Sequence, residues 1–209
     1  MGGPPIGRER PTGSGLGLAS RRPLFFRDPP AEGDARVDPR PSRRYAVVKA
    51  LRHFGVFAGL KYPNDAVYQD RKIAGILSEG VYRRETYHVI IGIGVNTNVD
   101  LDRLPPDVQP TATTLKREVN LFVANDEFLD YLLNQIDDLY SRYRNTRIEF
   151  LIKDYRGQCT TIGKRVTATT SKGSITGRAY DIAPNGALII MDDGNAKHEF
   201  VEGSLKIVP

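Results

Sequence analysis

Apolar positions along the chain change their period several times, and each change predicts a different element. After Ser42, the residues Val47, Val48, Leu51 and Phe54 fall on one face of a helix, with Gly55 as its stop. The runs 59–61, 66–68, 72–78 and 87–96 are apolar or alternating and suit strands. Gln69-Asp70-Arg71 and Arg83-Arg84-Glu85 separate them. Residues 99–110, rich in Pro and Asp, predict a loop. Asn125, as N-cap with Asp126 and Glu127 behind it, opens a long helix. Phe128, Leu129, Leu132, Ile136, Leu139 and Tyr143 line one side of that helix at three- and four-residue spacing. A second helical piece covers 147–155. From Thr160 the period shortens again, to five runs at 165–170, 174–182, 187–191, 197–201 and 205–208. Lys172-Gly173, Asn185-Gly186, Asp193-Gly194 and Glu202-Gly203 mark tight turns between them, which predicts a small SH3-like barrel.

The first 44 residues follow neither period. They hold eight of the fourteen prolines, no lysine, and nine arginines against five acidic residues. Such a segment cannot bury enough apolar surface to offset its ordering entropy, so a poorly ordered leader is expected over 1–44. Arg, Pro, Gly and Ala are also what out-of-frame translation of a GC-rich gene yields, so a misassigned or damaged gene start is the competing expectation. The organisation expected is therefore a leader over 1–44, a core over 45–159 and a terminal domain over 160–209.

The net charge of +5 belongs mostly to that leader, because the remaining residues carry 21 basic and 20 acidic groups. A nearly neutral body has no strong electrostatic footprint for nucleic acid. No apolar run is long enough to span a membrane, and the start lacks the apolar centre of a secretory signal. The lone Cys159 builds neither a disulfide nor a thiolate metal site, and His53, His88 and His198 lack metal-ligand spacing. A cytoplasmic protein is expected.

Three strings carry the chemistry: Lys61-Tyr62-Pro63-Asn64-Asp65, then Arg71-Lys72-Ile73-Ala74-Gly75-Ile76-Leu77-Ser78-Glu79, then Gly92-Ile93-Gly94-Val95-Asn96-Thr97-Asn98. Together with Ala112-Thr113-Thr114-Leu115, in this order and spacing, they resemble the biotin–protein ligase family over about residues 45–209. The resemblance implies an α+β fold: a mixed or antiparallel sheet with flanking helices, like a class II synthetase, followed by the SH3-like barrel. It implies ATP-dependent formation of biotinyl-5′-AMP, with Mg²⁺, and transfer of biotin to a lysine of a carboxyl-carrier domain. No helix-turn-helix precedes the core, so no DNA-binding domain and no membrane association are expected. Sheet edges in this family often pair, which puts a homodimer among the assemblies implied.

Residue by residue, the resemblance makes Lys72 the cation that bridges the biotin carbonyl and α-phosphate oxygens, since an anion attacks a polyanion in the first step. Asp65, with Asn64 and Lys61 beside it, is placed to orient the attacking lysine or act as its base. Gly75, Ile76 and Leu77 form a strand edge for biotin. Gly92, Gly94 and Asn96 lie near adenine, whose donor–acceptor edge an amide matches. Lys206 matches a basic position that reaches the ATP phosphates. Two features depart from the family: Tyr62 replaces its usual Trp, and the Arg/Gly-rich loop that covers biotin has only a faint echo in Gly7-Arg8-Glu9-Arg10 and residues 11–20. The alternatives are a non-catalytic binding relic and a lipoate-type ligase.

Overall fold

The computed structural model describes residues 24–27, 40–83, 86–145 and 149–208. Two antiparallel five-stranded sheets organise it. The first is built from β1 (Leu24–Arg27), β2 (Gly59–Lys61), β3 (Asp65–Tyr68), β4 (Arg71–Arg83) and β5 (Thr86–Val95), in the order β1-β5-β4-β3-β2. The second takes β6 (Arg165–Thr170), β7 (Gly173–Ile182), β8 (Leu188–Met191), β9 (Lys197–Phe200) and β10 (Ser204–Ile207), in the order β10-β6-β7-β8-β9. The α+β architecture that the resemblance implies is the one observed.

Helices cover one face of the first sheet. α1 (Arg40–His53) packs against α3 (Asn125–Asn145) and α4 (Glu149–Gln158), and it reaches β2, β3 and β4. Ala46, Val47, Ala50 and Leu51 are buried on α1. Phe128, Leu132, Ile136 and Leu139 form the matching stripe on α3, and Ile73, Ala74, Ile76 and Ile91 meet them from the sheet. No described helix is long and apolar enough to cross a membrane.

Several boundaries differ from the sequence reading. Of the expected leader, 1–23 and 28–39 lie outside the described residues, whereas Leu24–Arg27 runs antiparallel to β5, with Leu24 opposite Ile91. Helix α1 starts at Arg40, ahead of Ser42. Asn125 does not cap α3: the Ala124 carbonyl accepts from the Phe128 amide at 3.0 Å, while the Asn125 side-chain oxygen accepts from Thr97 Oγ1 at 2.8 Å and Asn98 Nδ2 at 3.1 Å. Helix α2 (Leu115–Val119) was not foreseen, because it is too short to show a period. Its cap is Thr114, whose hydroxyl accepts from the Arg117 amide at 3.1 Å.

The turn between β8 and β9 is tied by one carboxylate. Asp192 Oδ1 accepts from the amides of Gly194 and Ala196 at 2.9 Å each, and Oδ2 lies 2.7 Å from His198 Nε2. The His198 hydrogen bond, then the amide of Ala196, hold the Asp192 carboxyl below its ordinary value of 3.8. A depressed carboxyl contributes stability that is present above the unfolded value and lost as pH falls through the folded one. Acid melting curves of the wild type are therefore expected to fall more steeply below about pH 4 than those of Asp192→Asn. Parallel curves would show that the turn does not sense this proton.

Candidate active site

The face of the first sheet away from the helices is floored by glycine. Register places Asp65 opposite Gly75 and Gly75 opposite Gly94, and the next pair on that face is Leu77 with Gly92. Strand alternation puts Ala74 and Ile76 in the core and Gly75 and the exposed Leu77 on the open side, and the register shift at Ile73 in the β3–β4 ladder lets Lys72 share that open side although Ile73 is buried. A Cβ on Gly75 would sit 3.3 Å from both Cε and Nζ of Lys72, so the missing side chain makes room for the lysine arm. The ammonium meets Asp65 Oδ1 at 2.6 Å, and both side chains are partly open to solvent.

Main-chain and side-chain bonds fix the backbone beneath that pair. The Lys72 carbonyl accepts from the Thr113 amide at 2.8 Å, and Asn96 Nδ2 donates to the Thr113 carbonyl at 3.1 Å. The Asn96 amide donates to the Ile73 carbonyl at 2.9 Å. Thr113 is fully buried and its hydroxyl bonds to Glu118, which also pairs with Arg71 at 3.1 Å. Arg71, Lys72, Asn96 and the 112–118 segment are thus one hydrogen-bonded unit. Thr113, Glu118 and Arg71 were missed as site supports. The signal was present in Arg71 beside Lys72 and in Thr-Thr-Leu, but nothing in spacing alone joins residues about forty positions apart.

The structure brings together Lys72, Asp65, Asn64, Gly75, Leu77, Gly92 and Gly94, and it revises three expectations. Ile76 turns its side chain into the core, 1% exposed, and its amide donates to the Asn64 carbonyl at 2.7 Å. Gly75 and Ile76 therefore lie inside the paired ladder, and the free edge of β4 on its β3 side begins at Leu77 among the described residues. The Asn96 amide nitrogen is engaged by protein carbonyls, so that residue braces the Lys72 segment. Lys206 lies on the edge strand β10 opposite Thr167, exposed, with no described contact to the glycine floor. Lys61 ends β2 opposite Asp65.

The flanks of the site are quiet or separate. Burial pushes the Cys159 thiol above its ordinary range, which leaves an unreactive group. An open depression of about 420 Å³ lies past Asn96, lined by Asp100, Leu101, Lys116, Arg117, Leu121 and Phe122. Among the described residues no three His, Cys, Asp or Glu side chains gather as a metal site.

The described chain is thus a helix-backed antiparallel sheet with a glycine floor, a lysine–carboxylate pair above it and a small terminal β-domain. Residues 44–96 match the model of the "Biotin/lipoate A/B protein ligase family", and residues 161–204 match the "Biotin protein ligase C terminal domain". Both matches, and the relatives that follow, point to the biotin protein ligase family. It is 33% identical over 136 residues to a biotin–[acetyl-CoA-carboxylase] ligase of Mycobacterium tuberculosis, covering 63% of this chain and 47% of that one. It is 28% identical over 150 residues to the bifunctional ligase/repressor BirA of Bacillus subtilis, covering 69% and 45%. The chain thus spans less than half the length of these curated relatives. Because the second is named a repressor as well as a ligase, the relatives lend no support to an expected lack of DNA binding. The fold is that of the Aquifex aeolicus biotin protein ligase, with a TM-score of 0.75 at 23% identity over 88% of this chain and 81% of that one. A structure of that enzyme in complex with biotin and ATP gives 0.74 over 88% and 77%.

Proposed function

We propose that this chain forms biotinyl-5′-AMP from biotin and ATP and passes the biotinyl group to a lysine of a carboxyl-carrier domain. The observation that carries the reading is the Lys72–Asp65 pair at 2.6 Å above a glycine floor. In the first step the biotin carboxylate attacks the α-phosphorus and pyrophosphate leaves. Lys72, a compact ammonium, offsets the negative charge that gathers on the carbonyl and phosphate oxygens. In the second step an amine attacks the acyl carbon, and AMP leaves with the electrons of the broken anhydride bond. Asp65 accepts a hydrogen bond from the incoming ammonium and draws its proton, since a free lysine with a pKa of about 10.4 is charged at neutral pH.

Gly75, Gly92 and Gly94 let a flat ligand approach the sheet, and the strand edge from Leu77 onward offers main-chain donors and acceptors to a ureido ring. Mg²⁺ fits as an ion carried mainly by the nucleotide, because it keeps waters and binds through phosphates plus one or two carboxylates; Asp65 is a carboxylate on this face. The terminal-domain match favours biotin over lipoate.

The test is pyrophosphate release by purified chain with biotin, ATP and Mg²⁺, followed by labelling of a carboxyl-carrier domain. Release and labelling together are the expected result. A folded protein that binds a biotinyl-adenylate analogue without releasing pyrophosphate would replace the reading with that of a binding relic.

A further inference from the structure

Arg44 is the buried charged residue of the described chain, 5% exposed on α1. It makes no salt bridge among the described residues. Its Nη2 donates to Asn64 Oδ1 at 2.8 Å, and its buried Nε makes no full hydrogen bond, with the equally buried Tyr155 hydroxyl as the other polar neighbour of the guanidinium. A guanidinium held out of water without a counter-charge is costly, so the contact it keeps is informative.

A guanidinium has donors and no acceptor, so the amide beside it must present its oxygen. Asn64 is thereby fixed one way round. Its Oδ1 faces Arg44, its main-chain carbonyl accepts from Ile76, and its Nδ2 is an unengaged donor among the described residues, at a half-buried turn. That donor stands one residue before Asp65, which holds Lys72. With Arg44 removed, nothing would stop the amide from turning its oxygen outward.

We propose that Arg44 is a positioning residue: it locks the Asn64 carboxamide so that its N–H pair meets an anionic oxygen of the acyl-phosphate ligand beside Lys72. The inference rests on the ligase reading above and adds a polarity to it. An amide nitrogen attracts a phosphate oxygen, and an amide oxygen in its place repels one.

Four variants of the full chain test it: Arg44→Met, Arg44→Lys, Asn64→Asp and the Arg44→Met/Asn64→Asp double. Denaturant melts come first. Asn64→Asp is expected to be more stable than the wild type, because its carboxylate gains the buried cation, and this gain is expected to vanish in the double variant. Kinetics of pyrophosphate release come second. Asn64→Asp and Arg44→Met are expected to raise the ATP KM by about tenfold to a hundredfold, the range of one lost hydrogen bond to a charged group, with a smaller change in kcat. Arg44→Lys, which keeps a donor, is expected to hold ATP better than Arg44→Met, although Met suits a buried position better. A KM that tracks stability, or Met outperforming Lys, would overturn the proposal and leave Arg44 a packing residue. No release by the wild type would instead overturn the ligase reading, with the melts still deciding whether Arg44 and Asn64 are coupled.

Discussion

Replacing Lys72 by alanine is expected to lower biotin- and ATP-dependent pyrophosphate release by about a hundredfold to a thousandfold, the usual loss when one preorganised donor to a developing charge is removed. The same change is expected to leave unfolding within about 0.5 kcal/mol of the wild type. The two halves separate because Lys72 serves the fold and the site through different atoms. Its carbonyl, held by Thr113, belongs to the braced backbone and survives the substitution. Among the described residues its ammonium pairs with Asp65, partly solvated, and such pairs contribute little to stability. Lys72→Arg is expected to recover only part of the rate, since a forked planar group does not replace a compact one. Unchanged release from Lys72→Ala would remove the lysine from the chemistry and with it the assignment of the site.

The second large effect concerns Tyr62, where the family more often has Trp. Its ring is 4% exposed and packs near Phe200, at 6.0 Å between centroids. Its hydroxyl donates to the Phe200 carbonyl at 2.9 Å, and its amide donates to Thr161 Oγ1 at 2.9 Å. Tyr62→Ala is expected to cost about 3–5 kcal/mol, as large aromatic truncations in a core do, and to expose the connection between the two sheets to protease. Tyr62→Phe keeps the ring and is expected to cost about 1–2 kcal/mol through the carbonyl left unpaired. Equal melts for the two variants would show that the ring adds nothing beyond its hydroxyl. Both changes sit three residues from Asp65, so their effect on release reports how firmly the terminal sheet holds the turn.

Much of this was legible in the sequence, and the physical reason is period. Strands β6 to β10 alternate and end in glycine turns, so their limits fell within a residue of those observed. The α3 stripe from Phe128 to Leu139 was equally plain. What the sequence did not show was which side of a strand is paired. Gly75-Ile76-Leu77 reads as one ligand-binding run, yet only from Leu77 does β4 have a free edge, because Asp65 and the Asn64 carbonyl occupy the preceding positions. Asn96 reads as a ligand for adenine, and only its partners in space reveal a brace. Arg44 sat inside a segment set aside for its composition, since burial of a single arginine leaves no trace in a local pattern.

The line at residue 160 that the change of period suggests is crossed by main-chain bonds and an ion pair. Cys159 bridges to Leu60, the Thr160 amide donates to the Leu60 carbonyl at 2.8 Å, and Lys164 reaches Asp70 at 3.1 Å. The outer edge of the first sheet is therefore closed by the connector itself. For evolution and for engineering, the exchangeable module is then not the terminal domain alone. A graft from a relative would have to carry residues 158–164 together with their counterparts at 59–70, so the hairpin bearing Asn64 and Asp65 is inherited jointly with the domain that follows it.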